Sequence, residues 1–280
     1  MSLEYFTTRL GHKLALSCYG PENGPPILFM HGGGQTRHAW GRSAAALGAE
    51  GWRAIAIDMR GHGDSDWTQH YKVEDFAADV QEIALAQTSK AVMVGASLGG
   101  LSALLANASE KGEVSRALVL VDIAPRLNAA GVDRILGFMA AHTEGFASLD
   151  EAAAAVAAYQ PQRIQKSDNN GLKKNLRQKV DGRWYWHWDP AMLAAFQRGR
   201  DENDSRTDER LYHAAEKLTQ PVLLVRGAQS DVVDEEITRE FRTRIPQARI
   251  ADVTGAGHMV AGDRNDVFTD AVREFLTSLS

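Results

Sequence analysis

Ala91-Val92-Met93-Val94-Gly95-Ala96-Ser97-Leu98-Gly99-Gly100 is the stretch that decides the fold. Its four leading apolar residues read as a buried strand. Gly95 to Gly100 then reads as a sharp turn with Ser97 at its apex. From Leu98 to Asn107 the apolar residues fall at helical spacing. Glycines two positions before and two after Ser97 let strand and helix approach closely around the bend. Such a turn exposes the serine hydroxyl as a nucleophile, provided that a base and an orienting acid exist elsewhere. By itself the G-x-S-x-G pattern also occurs in plain Gly-rich turns, so the rest of the chain has to supply the partners.

Of nine histidines, most have ordinary explanations in polar segments, near a helix start or in Gly-rich turns. His258 differs. It lies in Thr254-Gly255-Ala256-Gly257-His258-Met259, after the strand-like Ala248 to Val253 and before a last helix near Asp263 to Leu279. A loop histidine past a strand end can reach a nucleophile on the same sheet edge. The acid is expected between serine and histidine in chain order. Val222 to Arg226 reads as a strand, and Gly227-Ala228-Gln229-Ser230-Asp231 follows. Asp231 is therefore the expected acid. Its competing role is to cap the helical segment from Val232 to Thr243, a role Ser230 could also fill. Asp122, ending the strand Ala117 to Val121, is the second candidate acid. The backbone N–H groups of Gly33 and Leu98 are the expected oxyanion-hole donors, because His31-Gly32-Gly33-Gly34 follows the buried run Pro26 to Met30 and glycines leave N–H groups unobstructed.

With these residues in place the chain resembles the α/β-hydrolase superfamily, specifically its capped serine hydrolases: esterases, lactonases, C–C bond hydrolases and epoxide-hydrolase-like proteins. The resemblance spans essentially the whole chain. It rests on His31 to Gly34, Asp58-Met59-Arg60-Gly61-His62-Gly63-Asp64-Ser65, Gly95 to Gly100, Gly227 to Asp231 and Gly255 to His258. It implies that Asp58, Arg60 and His62 are scaffold near the active-site mouth. The chain departs from true epoxide hydrolases and haloalkane dehalogenases, whose nucleophile is an aspartate where Ser97 stands here.

Composition agrees. Of 280 residues, 44% are hydrophobic and 24% charged, as in ordinary globular proteins. A net charge of −5 speaks against nucleic acid or an anionic membrane as the main partner; with the hydrolase resemblance, the expected partner is a small-molecule substrate. A single cysteine, Cys18, excludes an intrachain disulfide and fits a cytoplasmic setting. No apolar run reaches membrane-spanning length, and the first five residues show no leader. No Cys/His cluster has metal-ligand spacing and no phosphate loop is present, so neither metal nor cofactor is expected.

Strand-like runs near 3–9, 13–19, 26–30, 53–57, 91–94, 117–121, 222–226 and 248–252 alternate, after the first two, with helical patterns near 38–49, 73–87, 98–109, 232–244 and 264–279. This predicts an eight-stranded, mostly parallel twisted sheet flanked by helices, with the site beyond the carboxyl ends of the strands. The alternation stops between 124 and 216. Helical patterns there (Val132 to Ala141, Leu149 to Tyr159, Ala191 to Arg198) stand where capped members of the family it resembles carry a lid, so the resemblance implies a helical cap inserted after strand six, with 1–123 and 217–280 forming the core domain. Within it, Trp184-Tyr185-Trp186-His187-Trp188 carries alternating aromatics. These read first as packing, with Trp186 and Trp188, together with Gly34, the candidate substrate-binding residues. Lys166, Lys173, Lys174, Arg177 and Lys179 read as a solvated face.

The expected activity is hydrolysis of a carboxylic ester, or a related carbonyl substrate that is small and largely apolar, through an acyl-enzyme formed by Ser97, His258 and Asp231. Lactone opening, C–C bond cleavage and perhydrolysis use the same triad and stay open, as does a slow-turnover ligand receptor.

Overall fold

All eight strand-like runs are strands of one sheet in the computed structural model, which describes residues 1–109, 112–160, 169–201, 204–258, 260 and 265–279. Lys166, Met259 and Asp263 lie outside these residues. The strands are β1 (Ser2–Thr7), β2 (Lys13–Tyr19), β3 (Pro26–Met30), β4 (Arg53–Ile57), β5 (Ala91–Ala96), β6 (Ser115–Val121), β9 (Val222–Gly227) and β10 (Ala248–Val253). Their spatial order is β1-β2-β4-β3-β5-β6-β9-β10. β1 and β2 pair antiparallel, β2 runs antiparallel to β4, and every later pairing is parallel.

The central strands β3, β5, β6 and β9 are near-continuous apolar runs because helices cover both faces of the sheet. Alternate residues serve opposite cores: Leu28, Met30 and Met93 pack on one side, Ile27, Phe29, Val92 and Val94 on the other. The first core is closed by α2 (Val73–Leu85) and α3 (Leu98–Asn107), and by α8 (Glu235–Arg244) through Ile237 and Phe241. The second is closed by α1 (Gly41–Ala49) and α9 (Asn265–Thr277) through Leu47, Phe268 and Val272.

The register aligns the carboxyl ends where the site is expected. Met30 pairs with Gly95, Ala96 with Val121, and Val121 with Val225. The residues that leave β5 and β6 are therefore neighbours. The Ser97 N–H donates to Val121 O at 3.3 Å, and the Asp122 N–H to Val225 O at 2.8 Å.

Between β6 and β9 no described residue joins the main sheet. This insertion holds α4 (Ala129–Ala141), α5 (Leu149–Tyr159), a small antiparallel hairpin of β7 (Leu176–Gln178) and β8 (Trp184–Trp186), α6 (Ala191–Asp201) and α7 (Asp204–Glu216). The hairpin departs from the purely helical expectation, and α7 is a helix that the sequence patterns did not single out. Alternating aromatics at 184–188 carry a period of two, which suits a strand. Helix α7, SRTDERLYHAAE after its Asp204, is so polar that its apolar stripe, buried through Leu211, Tyr212 and Ala215, is short. In the basic run, Arg177 pairs with Asp64 at 3.1 Å rather than standing free.

Candidate active site

The bend at Ser97 needs its glycines. A Cβ on Gly95 would lie 2.4 Å from Gly99 O, and one on Gly99 would lie 2.4 Å from Met30 O. Ser97 itself has φ 47° and ψ −117°, a conformation that a non-glycine residue rarely adopts. Among the described residues only one other non-glycine has positive φ: Asp122, at 49°. The two strained residues thus end adjacent parallel strands. Strain of this kind persists where the surroundings over-determine it, and it concentrates at functional sites.

His258 meets Asp122. Its Nδ1 lies 2.7 Å from Asp122 Oδ2; the carboxylate is fully buried and the imidazole is 12% exposed. Asp122 accepts two further hydrogen bonds, from the Gly227 N–H to Oδ1 (3.0 Å) and from the Ser230 hydroxyl to Oδ2 (2.5 Å). A buried carboxylate without such donors would be costly. Here three donors converge on it, each charge-assisted bond contributing roughly 1.5–3 kcal/mol. The loop bearing His258 is fixed to the end of β9 by Ala228 N–H to Val253 O and Gln229 N–H to Ala256 O, each 3.0 Å.

Asp231 is not brought to His258, which corrects the sequence expectation. Its carboxylate pairs with Arg134 of α4 at 2.6 Å, with both side chains substantially exposed. The physical reason lies in the turn after β9. Ser230 is the residue whose side chain turns to Asp122, and the next side chain, that of Asp231, points to Arg134 of the insertion. Nor does Asp231 cap α8; Asp234 does, accepting from the Ile237 N–H at 2.9 Å. Ser230 Oγ accepts the N–H groups of Val232 and Val233 while donating to Asp122. Asp122 was visible in the sequence as an aspartate directly after a central buried strand. Its left-handed backbone and the Ser230 contact carried no sequence signal.

The loop after β3 lies against the bend: a Cβ on Gly32 would stand 3.3 Å from Ser97 Cβ. The Gly32 N–H donates to Gln35 Oε1 (3.2 Å) and the Gly34 N–H to His62 Nε2 (3.1 Å). Among the described residues, the N–H groups of Gly33 and Leu98 have no protein partner. Both residues border the cavity beside Ser97. His31 and His62 are fully buried, and burial pushes their pKa down to about 4 and about 3, so both rings are neutral at ordinary pH.

Ser97, Leu98, Gly33, Gly34 and His258 all line one cavity of about 1090 Å³ between the strand ends and the insertion. Trp186 and Trp188 line it too, but they differ. Trp188 is 3% exposed, whereas Trp186 is half-buried, edge-on to Phe138 and Phe146. The wall is mostly aliphatic and aromatic. The permanent cations among its described residues, Lys72 and Arg210, are both exposed, and Arg210 is ion-paired with Glu74. No described helix is long and apolar enough to cross a membrane.

Residues 27–271 match the model of the alpha/beta hydrolase family. An esterase of Mycobacterium tuberculosis is 30% identical over 264 residues, covering 90% of this chain and 83% of that protein. The 3-hydroxybutyrate-oligomer hydrolase of Cupriavidus necator is 29% identical over 259 residues, with 88% and 87% covered. The crystal structure of an E-2-(acetamidomethylene)succinate hydrolase superposes with a TM-score of 0.83 at 24% identity, covering 99% of this chain and 100% of that one, a likeness of fold.

Proposed function

This chain belongs to the alpha/beta hydrolase family of enzymes, and from that premise we propose that it is a serine esterase whose triad is Ser97, His258 and Asp122. The observation that carries this reading is the 2.7 Å contact between His258 Nδ1 and the buried Asp122 carboxylate, at the strand end beside Ser97. In that arrangement Nδ1 carries a proton and Nε2 is free to take one. Nε2 removes the Ser97 proton as Oγ attacks the ester carbonyl, and Asp122 stabilises the imidazolium that results. Negative charge builds on the carbonyl oxygen, where the N–H groups of Gly33 and Leu98 act as donors. Imidazolium then protonates the departing alcohol. Water, deprotonated by the same nitrogen, releases the acid from the Ser97 ester.

A cavity of about 1090 Å³ with apolar walls suits a neutral ester with a bulky or extended apolar acyl group rather than a small one. Residues 124–216 act as the cap that selects it, through Trp186 among others. The partner is a small molecule and not nucleic acid or membrane. The one cysteine, Cys18, is buried, which fits the reducing cytoplasm.

The test is a panel of p-nitrophenyl esters of increasing acyl length, run with Ser97→Ala alongside. Turnover should favour the longer chains. The alanine variant should lose activity by up to about a million-fold, and with it labelling by a fluorophosphonate. Ser97→Ala retaining activity within about tenfold of wild type would remove Ser97 from the mechanism, since loss of a triad nucleophile costs far more.

A further inference from the structure

Gly33 is the middle of three glycines, yet its neighbours are held. On one side the Gly32 N–H is bonded to Gln35 Oε1, and the Gly32 carbonyl lies 2.8 Å from His31 Nδ1. On the other side the Gly34 N–H is bonded to His62 Nε2 at 3.1 Å. Gly34 has φ 76°, a conformation glycine is free to leave, so beyond the Gln35 N–H to Gly32 O bond that closes the turn (3.2 Å) the orientation of its central peptide depends on what the Gly34 N–H meets. The His62 ring can act as an acceptor at Nε2 because its Nδ1 faces the Arg60 carbonyl at 3.0 Å, which fixes the proton on Nδ1. The ring is fully buried and sits edge-on to His31 at 4.7 Å. His31 Nε2 in turn accepts the Met59 N–H at 3.0 Å, so two crossed imidazoles join the loop after β3 to the turn after β4.

That turn is itself clamped from its far side. The Gly63 N–H donates to His187 O and the Asp189 N–H to Gly61 O, each at 2.8 Å, and His62 bridges Trp188. The same turn therefore touches the insertion with its backbone and the glycine loop with the His62 side chain.

We infer that His62 is a positioning residue: as a neutral acceptor it holds the Gly34 peptide and so aims the adjoining Gly33 N–H at the oxyanion. This rests on the serine esterase reading, in which Gly33 is an oxyanion donor. The role needs an acceptor at the position of Nε2, and not merely a side chain that fills the space. An apolar substitute leaves the Gly34 N–H without a partner, and the peptide then rotates to find one. A misplacement of about 1 Å at a reacting centre costs on the order of a hundredfold.

The experiment compares His62→Gln, whose amide oxygen can reach the Nε2 position, with His62→Met, which has similar shape and almost no acceptor strength. Both are assayed on one long-chain ester. His62→Met should lower kcat by about ten- to a hundredfold with KM little changed. It should weaken a trifluoromethyl ketone, which places an oxyanion in the hole, by a similar factor, while a product alcohol binds as before. His62→Gln should recover most of the loss. Equal losses in Gln and Met, a wild-type kcat in Met, or a change confined to KM would each overturn the inference. Wild-type protein that hydrolyses no ester would instead remove the esterase reading. A measurement that needs no variant to fold is ¹⁵N imidazole NMR of the wild type. The His62 ring should be neutral with the proton on Nδ1 throughout the active pH range; an Nε2–H tautomer or an imidazolium overturns it.

Discussion

His258 Nδ1 lies 2.7 Å from Asp122, and Asp231, the acid expected from chain order, is ion-paired with Arg134 instead. The two aspartates therefore make opposite predictions. Asp122→Asn should lower kcat by about ten-thousand-fold, because an amide cannot hold the imidazole in the right tautomer. Asp231→Asn should leave turnover within severalfold and cost stability by about 0–1 kcal/mol, as an exposed ion pair does. Steady-state kinetics and urea midpoints of both variants check this, and a dead Asp231→Asn with a live Asp122→Asn would return the acid to the loop after β9.

The strands were legible because buried parallel strands are apolar runs bounded by turn residues, as in Pro26–Met30 and Val222–Gly227. The bend at Ser97 was legible because close backbone approach demands glycine at fixed offsets. Nothing local distinguishes Asp122 from Asp231. Each follows an apolar strand, and the choice depends on which side chain the neighbouring strand turns toward the histidine loop. The left-handed backbone at Asp122, the Ser230 hydroxyl and the His62–Gly34 bond are all products of tertiary register. Trp186 and Trp188 were separable only once burial was known.

Ser230 and Asp122 offer a second test of that register. Ser230 Oγ stands 2.5 Å from the same Asp122 oxygen that faces His258, so a carboxylate carried on residue 230 would reach the imidazole from the turn after β9. The double variant Asp122→Ala/Ser230→Asp should recover at least about tenfold of the activity that Asp122→Ala alone loses, out of the roughly ten-thousand-fold an acid contributes. No recovery in a folded double variant would mean that the acid acts only from the end of β6.

Acid should destabilise the protein through its buried histidines. An imidazole in the unfolded chain takes up its proton near pH 6.5, whereas His31 and His62 in the fold do so only near 4 and 3. Their folded values are depressed, so the unfolded state binds more protons throughout that window. Stability is retained above pH 6.5 and is lost as pH falls toward 3. Neighbouring charges work on the same groups: Arg37 lowers His31, and Asp58 partly opposes the shift of His62. Chemical-denaturation midpoints from pH 8 to pH 4 should fall more steeply for wild type than for His62→Gln. Parallel slopes would mean that His62 does not stay neutral in the fold.

The two cavity tryptophans should separate by phenotype. Trp188 is almost fully buried, and Trp188→Ala should cost about 3–5 kcal/mol in stability, as large-to-small core changes do. Trp186→Ala should instead change the ranking of esters by acyl size while a short activated ester is still turned over. Ester panels and melting curves on both variants read this directly, and an unchanged ranking in Trp186→Ala would reduce that ring to packing.

Gly33 and Gly34 differ in what a side chain would meet. A Cβ on Gly33 touches only Phe196, at 4.0 Å, and the backbone there is in an ordinary region. A Cβ on Gly34 would press on Met139 at 3.3 Å, and the φ of 76° disfavours any side chain. Gly33→Val should therefore fold normally and project its methyl groups into the cavity toward Phe196. It should slow esters of branched alcohols most and spare slim ones. Gly34→Val should shift the peptide that carries the neighbouring donor and slow every ester, by up to about 10²–10³ if the donor is lost. The comparison is made on a primary and a tertiary alcohol ester of the same acid. If Gly33→Val matches wild type on both, the loop after β3 does not border the reacting carbon, and the oxyanion must be held by Leu98 and some other donor.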